Sequence, residues 1–173
     1  IIYPFFSFKD GDINIMYKKE GIVQHTIFSD TPISYTKINN GSNWASLNIF
    51  RENNDYAFSI SITLYSGIRF AKINISLESK TEVLNFDWLH FPFISRGRII
   101  QDNENIAFVD SSAKIFSQVI FPNYQQNNLT LNENPDSFEL VKKFNGEKNV
   151  GIEFYVGINM FDNIENDDEI ISL

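Results

Sequence analysis

Between Tyr56 and Leu77 the chain dictates its own pairing partner. Tyr56, Phe58, Ile60, Ile62 and Leu64 alternate with Ala57, Ser59, Ser61, Thr63 and Tyr65, the period of a strand with one buried face. After Ser66-Gly67 the alternation resumes as Ala71, Ile73, Ile75 and Leu77 against Lys72, Asn74, Ser76 and Glu78, with the apolar set on the opposite parity. A two-residue hairpin loop at Ser66-Gly67 predicts Tyr65 opposite Ile68, Ile62 opposite Ala71, Ile60 opposite Ile73, Phe58 opposite Ile75 and Tyr56 opposite Leu77. Both apolar rows then face one side. A slip of one residue would turn a whole row to water, at roughly 1.5–3 kcal/mol per large side chain.

The rest of the chain favours the same kind of structure. Phe (17) and Tyr (7) are abundant among 173 residues, Ile is frequent, and Ala, the best helix former, is scarce. The 43% hydrophobic and 21% charged content is that of a globular chain able to bury a core. No Pro/Gly/Ser-rich linker and no internal repeat divides it, so residues 1–173 read as a single domain. Opening on Ile1 rather than Met, it is expected to be part of a longer chain with other domains. A net charge of −8 argues against nucleic acid and anionic membrane surfaces as partners. No apolar run of about 18 residues is present, so this segment is not expected to insert into a membrane. Without cysteine there are no disulfides and no thiolate chemistry. Asn40, Asn74 and Asn128 head glycosylation sequons, and the aromatic, Asn-rich, helix-poor style leads us to expect an extracytoplasmic or cell-surface location.

Read in order, the chain is a succession of strands. Ile1 to Phe8, interrupted by Pro4, suggests an edge strand. Ile13 to Tyr17 and Ile22 to Phe28 form a hairpin across Lys18-Lys19-Glu20-Gly21, Ile33 to Ile38 is a weaker strand, and Trp44 to Phe50 places Ala45, Leu47 and Ile49 on one face. A strand from Val83 puts Leu84, Phe86 and Trp88 on one face and ends at Pro92. Ile99-Ile100 and Ile106 to Val109 form a short hairpin, and Lys114 to Phe121 runs up to Pro122. Asn123 to Asn128 and Asn132 to Ser137 read as loops. Phe138 to Phe144 is read as strand, Asn145-Gly146 as a turn, and Val150 to Met160 as a long strand. Glu169 to Leu173 is expected as a last edge strand. About a dozen strands, several near 30 Å long at 3.3 Å per residue, predict an all-β fold: a large antiparallel β-sandwich with little or no helix.

Functional residue types concentrate at the end of one strand, in Asp87-Trp88-Leu89-His90-Phe91-Pro92-Phe93-Ile94-Ser95-Arg96-Gly97-Arg98. Aromatic faces beside His and Arg suit a sugar, whose C–H faces stack on rings while its hydroxyls take hydrogen bonds. Trp88, His90, Phe91, Arg96 and Arg98 are therefore the ligand-binding candidates, with the aromatic residues as plain core and the arginines as a polar turn the competing reading. His90 is the candidate for any catalytic role. Only two His are present, without zinc spacing, and Asp10-Gly11-Asp12-Ile13-Asn14 lacks the later residues of a calcium loop. The acidic tail from Asp162 to Glu169 reads as solvated charge. No metal site or cofactor is expected, and no serine elbow, phosphate loop or dinucleotide fingerprint occurs.

From Tyr56 to Phe93, the order of long strand, tight turn, long strand, polar link and then His90-Phe91-Pro92-Phe93 resembles the galactose-mutarotase-like β-supersandwich of carbohydrate-active proteins, where a His-x-Tyr-Phe segment follows two such strands. The resemblance implies a supersandwich with a sugar-facing concave sheet and an acid/base role for His90 if activity is retained. Enzymes of that family use a further His and a carboxylate base near the C-terminus. Here no His follows His90, and Glu153 lacks a surrounding motif. The expected function is thus a non-catalytic β-sandwich domain of a larger extracytoplasmic protein, carbohydrate-binding or structural. The alternatives are a fragment of an epimerase- or glycosidase-type enzyme, using His90 with Asp87 or Glu153, and a protein-interaction module that offers its edge strands.

Overall fold

The structure, a computed structural model, describes residues 13–68, 70–93, 98–101, 106–110, 116–122, 128–134 and 137–159. Apart from a 3-10 turn at Phe28–Asp30, the regular structure among them is strand. The strands are β1 (Asn14–Lys19), β2 (Ile22–Ile27), β3 (Ile33–Asn40), β4 (Trp44–Glu52), β5 (Tyr56–Tyr65), β6 (Phe70–Ser79), β7 (Leu84–Phe93), β8 (Arg98–Gln101), β9 (Ile106–Asp110), β10 (Phe116–Phe121), β11 (Leu129–Asn134), β12 (Ser137–Glu147) and β13 (Asn149–Asn159). They form two antiparallel sheets, one of five strands in the order β11-β12-β7-β1-β2 and one of eight in the order β3-β4-β5-β6-β13-β10-β9-β8. The all-β sandwich expected from the alternation is the fold. The expected strands at Ile1 to Phe8 and Glu169 to Leu173, the Asp10-Gly11 turn and the acidic tail lie outside the described residues.

The central hairpin forms with its two apolar rows on one side, but its register differs from expectation by two residues. Leu64 pairs with Ala71, Ile62 with Ile73, Ile60 with Ile75, Phe58 with Leu77 and Tyr56 with Ser79. A turn does close at Ser66-Gly67, where the Ile68 amide donates to the Tyr65 carbonyl at 3.3 Å and Gly67 takes the positive φ of 78° that glycine tolerates without a Cβ clash. However, β5 ends at Tyr65 and β6 begins only at Phe70. The longer loop moves every partner by two, and a two-residue shift preserves facing. Side-chain pattern fixes parity; only the loop fixes which even step is taken.

The inward rows meet in one core. Tyr56, Phe58, Ile75, Leu77, Ile152 and Phe154 of the larger sheet are buried against Ile15, Tyr17, Leu84, Phe86 and Leu89 of the smaller. Phe28, on the 3-10 turn between β2 and β3, packs 4.1 Å from Phe58 between ring centroids, and the Arg51 guanidinium lies over the Phe28 ring, 4.3 Å from its centroid. Arg51 Nη1 also donates to the Thr31 carbonyl at 2.7 Å, tying β4 to the chain that crosses between sheets. Beside it the buried Tyr56 hydroxyl donates to Thr26 Oγ1 at 3.2 Å and shares a 2.9 Å hydrogen bond with Thr31 Oγ1. Tyr56→Phe leaves the buried Thr31 hydroxyl short of a partner, and a loss of about 1–3 kcal/mol in urea denaturation is the expected result. A midpoint unchanged from wild type would show that these hydroxyls find other partners.

A bulge in β7 decides which residues reach solvent. Tyr17 pairs with Phe86 and the next residue back, Met16, pairs with Trp88, so Asp87 is an extra residue in β7. The strand's alternation inverts there. Leu84 and Phe86 are buried before the bulge and Leu89 after it, while Trp88 and His90 turn to the outer side. The expectation that Trp88 shares a face with Leu84 and Phe86 is corrected accordingly. Three boundary expectations change as well. β7 continues through Pro92 to Phe93, and residues 132–134 belong to β11. Asn145-Gly146 is absorbed into an irregularity of β12 between Lys143 and Glu147 rather than forming the turn to β13.

Candidate functional site

The outer face of the five-stranded sheet gathers part of the cluster singled out in the sequence. His25 of β2 and Trp88 of β7 lie opposite Met16 of β1, and their ring centroids are 5.6 Å apart in an edge-on arrangement. His90, one rung further, lies 5.9 Å from Trp88 with the rings at 88°. The indole is therefore flanked by two imidazoles. Asp87, the bulge residue, pairs with Lys18 Nζ at 3.1 Å. Arg98 begins β8, the edge strand of the other sheet, so the backbone separates it from Trp88 and His90 by sheet. Phe91 lies within β7, but its side chain, that of Arg98 and all of Arg96 are outside the described residues.

The outer face of the eight-stranded sheet has a different character, one the sequence reading passed over as solvent-facing. Register stacks its outward side chains into rungs that cross the sheet. One rung runs Tyr35, Phe50, Ser59, Ser76 and Gly151 from β3 to β13. The Tyr35 and Phe50 rings are stacked, with centroids 4.3 Å apart and planes at 18°, and the Ser59 and Ser76 hydroxyls share a 2.8 Å hydrogen bond. The neighbouring rung is Glu52, Ala57, Glu78 and Asn149. Between them is a groove of about 740 Å³, walled by the ring pair, floored by Ala57, Ser59, Ser76 and Gly151, and rimmed by Glu52, Glu78 and Asn149. That volume lies within the range of small-molecule sites. Gly151 keeps the floor low and the strands close, since a Cβ there would sit 3.0 Å from the Ile75 carbonyl oxygen.

The electrostatics of the face are set by a few fixed pairs. Glu52 is held below the usual carboxylate range by its hydrogen bond to Lys80. One rung beyond the Tyr35–Gly151 rung, Glu153 Oε2 accepts from Lys72 Nζ at 2.7 Å and Glu153 Oε1 accepts from the Tyr155 hydroxyl at 2.9 Å. The bond to Glu153 raises the Lys72 ammonium above its ordinary value, and partial burial, then the same carboxylate, raises the Tyr155 phenol. Asn48, Ser61 and Asn74 share the rung of Glu153, and Thr63 shares that of Lys72 and Tyr155, so hydroxyl and amide groups lie beside the triad. Asn74 is partly buried in mid-sheet, whereas Asn40 at the end of β3 and Asn128 before β11 are exposed.

Glu153 and His90 are on opposite outer faces of the sandwich, because their neighbours Phe154 and Leu89 both point into the shared core. They cannot act on one substrate. Among the described residues, no group of three or more His, Cys, Asp or Glu could hold a metal ion, and no helix is long and apolar enough to cross a membrane. One signal for the groove was legible in the sequence: Phe50 lies on the parity opposite Ala45, Leu47 and Ile49, where alternation calls for a polar residue.

No family model and no curated protein matches the sequence. Solved structures do. A protein described as a kojibiose phosphorylase from the human microbiome aligns over 90% of this chain with a TM-score of 0.53 at 15% identity. A heparan sulfate lyase HepC mutant from Pedobacter heparinus aligns over 79% with 0.52 at 12%, and the GH36 alpha-galactosidase AgaB from Geobacillus stearothermophilus over 84% with 0.51 at 11%. What these share with the chain is the fold. The chain has a β-sandwich that occurs in carbohydrate-active proteins, and it spans 23%, 24% and 30% of the length of those three.

Proposed function

We propose that this chain is a non-catalytic, carbohydrate-binding β-sandwich domain of the galactose-mutarotase-like supersandwich type, working within a larger extracytoplasmic protein. The observation that carries the reading is the groove on the eight-stranded sheet, where a stacked aromatic pair stands beside a hydroxyl floor and a carboxylate and amide rim. A pyranose needs both parts: its C–H face gains from an aromatic ring, and its hydroxyls need donors and acceptors at the margin. The occurrence of this fold in carbohydrate-active proteins supports the same class of ligand. Binding is favoured over hydrolysis because Glu52 and Glu78, the carboxylates at the rim, are both exposed, whereas a general acid requires a desolvated setting to keep its proton.

A second reading rests on the His25, Trp88 and His90 row, with His90 and Trp88 as ligand contacts on the other outer face. One experiment separates the two. On an array of neutral glycans, Tyr35→Ala should weaken binding by about tenfold, corresponding to ~1.4 kcal/mol of lost stacking, and Trp88→Ala should leave it unchanged. The reverse pattern would move the site to the five-stranded sheet. Binding to no glycan by the wild-type chain would favour the protein-interaction alternative.

A further inference from the structure

The groove's floor reaches β13 at Gly151, and the rung beside it runs Asn48, Ser61, Asn74 and Glu153 from β4 to β13. From Phe50 on β4 to Glu153 on β13 there are three strand spacings and one rung, about 16 Å at 4.8 Å between strands and 3.4 Å per residue. Ser61 and Asn74 occupy the path. At its far end the Glu153 carboxylate is held by two donors, Lys72 and Tyr155, and remains partly exposed. An ionised carboxylate offers about four lone-pair directions, so roughly two remain for an incoming hydroxyl. A single pyranose ring seated against Tyr35 and Phe50 cannot reach that far.

Building on the sugar-binding reading of the groove, we propose that its ligand is a linear oligosaccharide chain, a trisaccharide or longer, laid across the strands. One end stacks on Tyr35 and Phe50 and the other hydrogen-bonds the Lys72, Glu153 and Tyr155 cluster. The chain's interior is neutral and hydroxyl-rich, matching Ser61 and Asn74, which carry no charge. The Asn74 sequon lies on this path, so a glycan attached there would occupy the face and exclude the ligand.

The test is isothermal titration of the unglycosylated chain with neutral oligosaccharides of one linkage type, comparing two units with six, for those linkages that the array detects. The six-unit chain should bind about tenfold tighter than the two-unit one, a gain of ~1.4 kcal/mol. Lys72→Ala and Tyr155→Phe should erase most of that gain and leave two-unit binding unchanged, while Tyr35→Ala should weaken both lengths. Equal affinity for both lengths, or a length gain untouched by Lys72→Ala and Tyr155→Phe, overturns the extended track while the groove survives. Insensitivity of both lengths to Tyr35→Ala removes the groove itself, and the track with it.

Discussion

Phe58→Ala should destabilise the chain by about 3–5 kcal/mol, the cost of emptying a large aromatic from a core that relaxes only in part. Phe58 is 1% exposed and lies on the central hairpin, directly against Phe28 on the crossing segment between the sheets. The void would open where the two layers and their connection meet, and Arg51 would lose the packing beneath its ring partner. Since domains are typically stable by only 5–15 kcal/mol, this loss should move the urea midpoint far and leave little folded protein at elevated temperature. A shift below about 1 kcal/mol would mean that the sheets do not pack through this contact.

The second large effect discriminates between two ways of reading one strand. Plain alternation from Leu84 puts Trp88 in the core and Leu89 in water; the bulge at Asp87 reverses both. With Leu89 at 0% exposure, Leu89→Ala should cost about 2–5 kcal/mol. Trp88→Ala removes a larger side chain from a partly open face, where His25, Met16, His90 and Lys143 lie beside it, and should cost less. Denaturation of the two variants side by side decides the matter. If Trp88→Ala proves the more damaging, the strand does not invert and the outer row of imidazoles and indole is wrongly placed.

How much was legible follows from the range of each interaction. Alternation in Tyr56 to Leu77 is local, and it announced strands, a hairpin and a shared apolar face, because facing depends only on residue parity. The hairpin's register was not legible. Ile60 faces Ile75 rather than Ile73 because β6 starts at Phe70, and several loop lengths satisfy the same parity. The candidate cluster shows the same limit. Trp88 and His90 do come together, as their spacing of two residues implies, but Arg98 belongs to the other sheet. Phe50 breaks its strand's alternation, but Tyr35, fifteen residues earlier, becomes its stacked partner only through the β3–β4 ladder.

By itself, the sequence determined that this protein is built of strands, that one side of each is apolar, and that the chain must close into layers to hide those sides. Tertiary structure alone decided which strands are neighbours, that an extra residue at Asp87 turns an indole outward, and that a ring pair and a row of hydroxyls border a common groove. The reason is physical: burial is satisfied by any arrangement with the right parity, whereas a binding surface depends on pairings between distant strands, which bulges and loop lengths set one at a time.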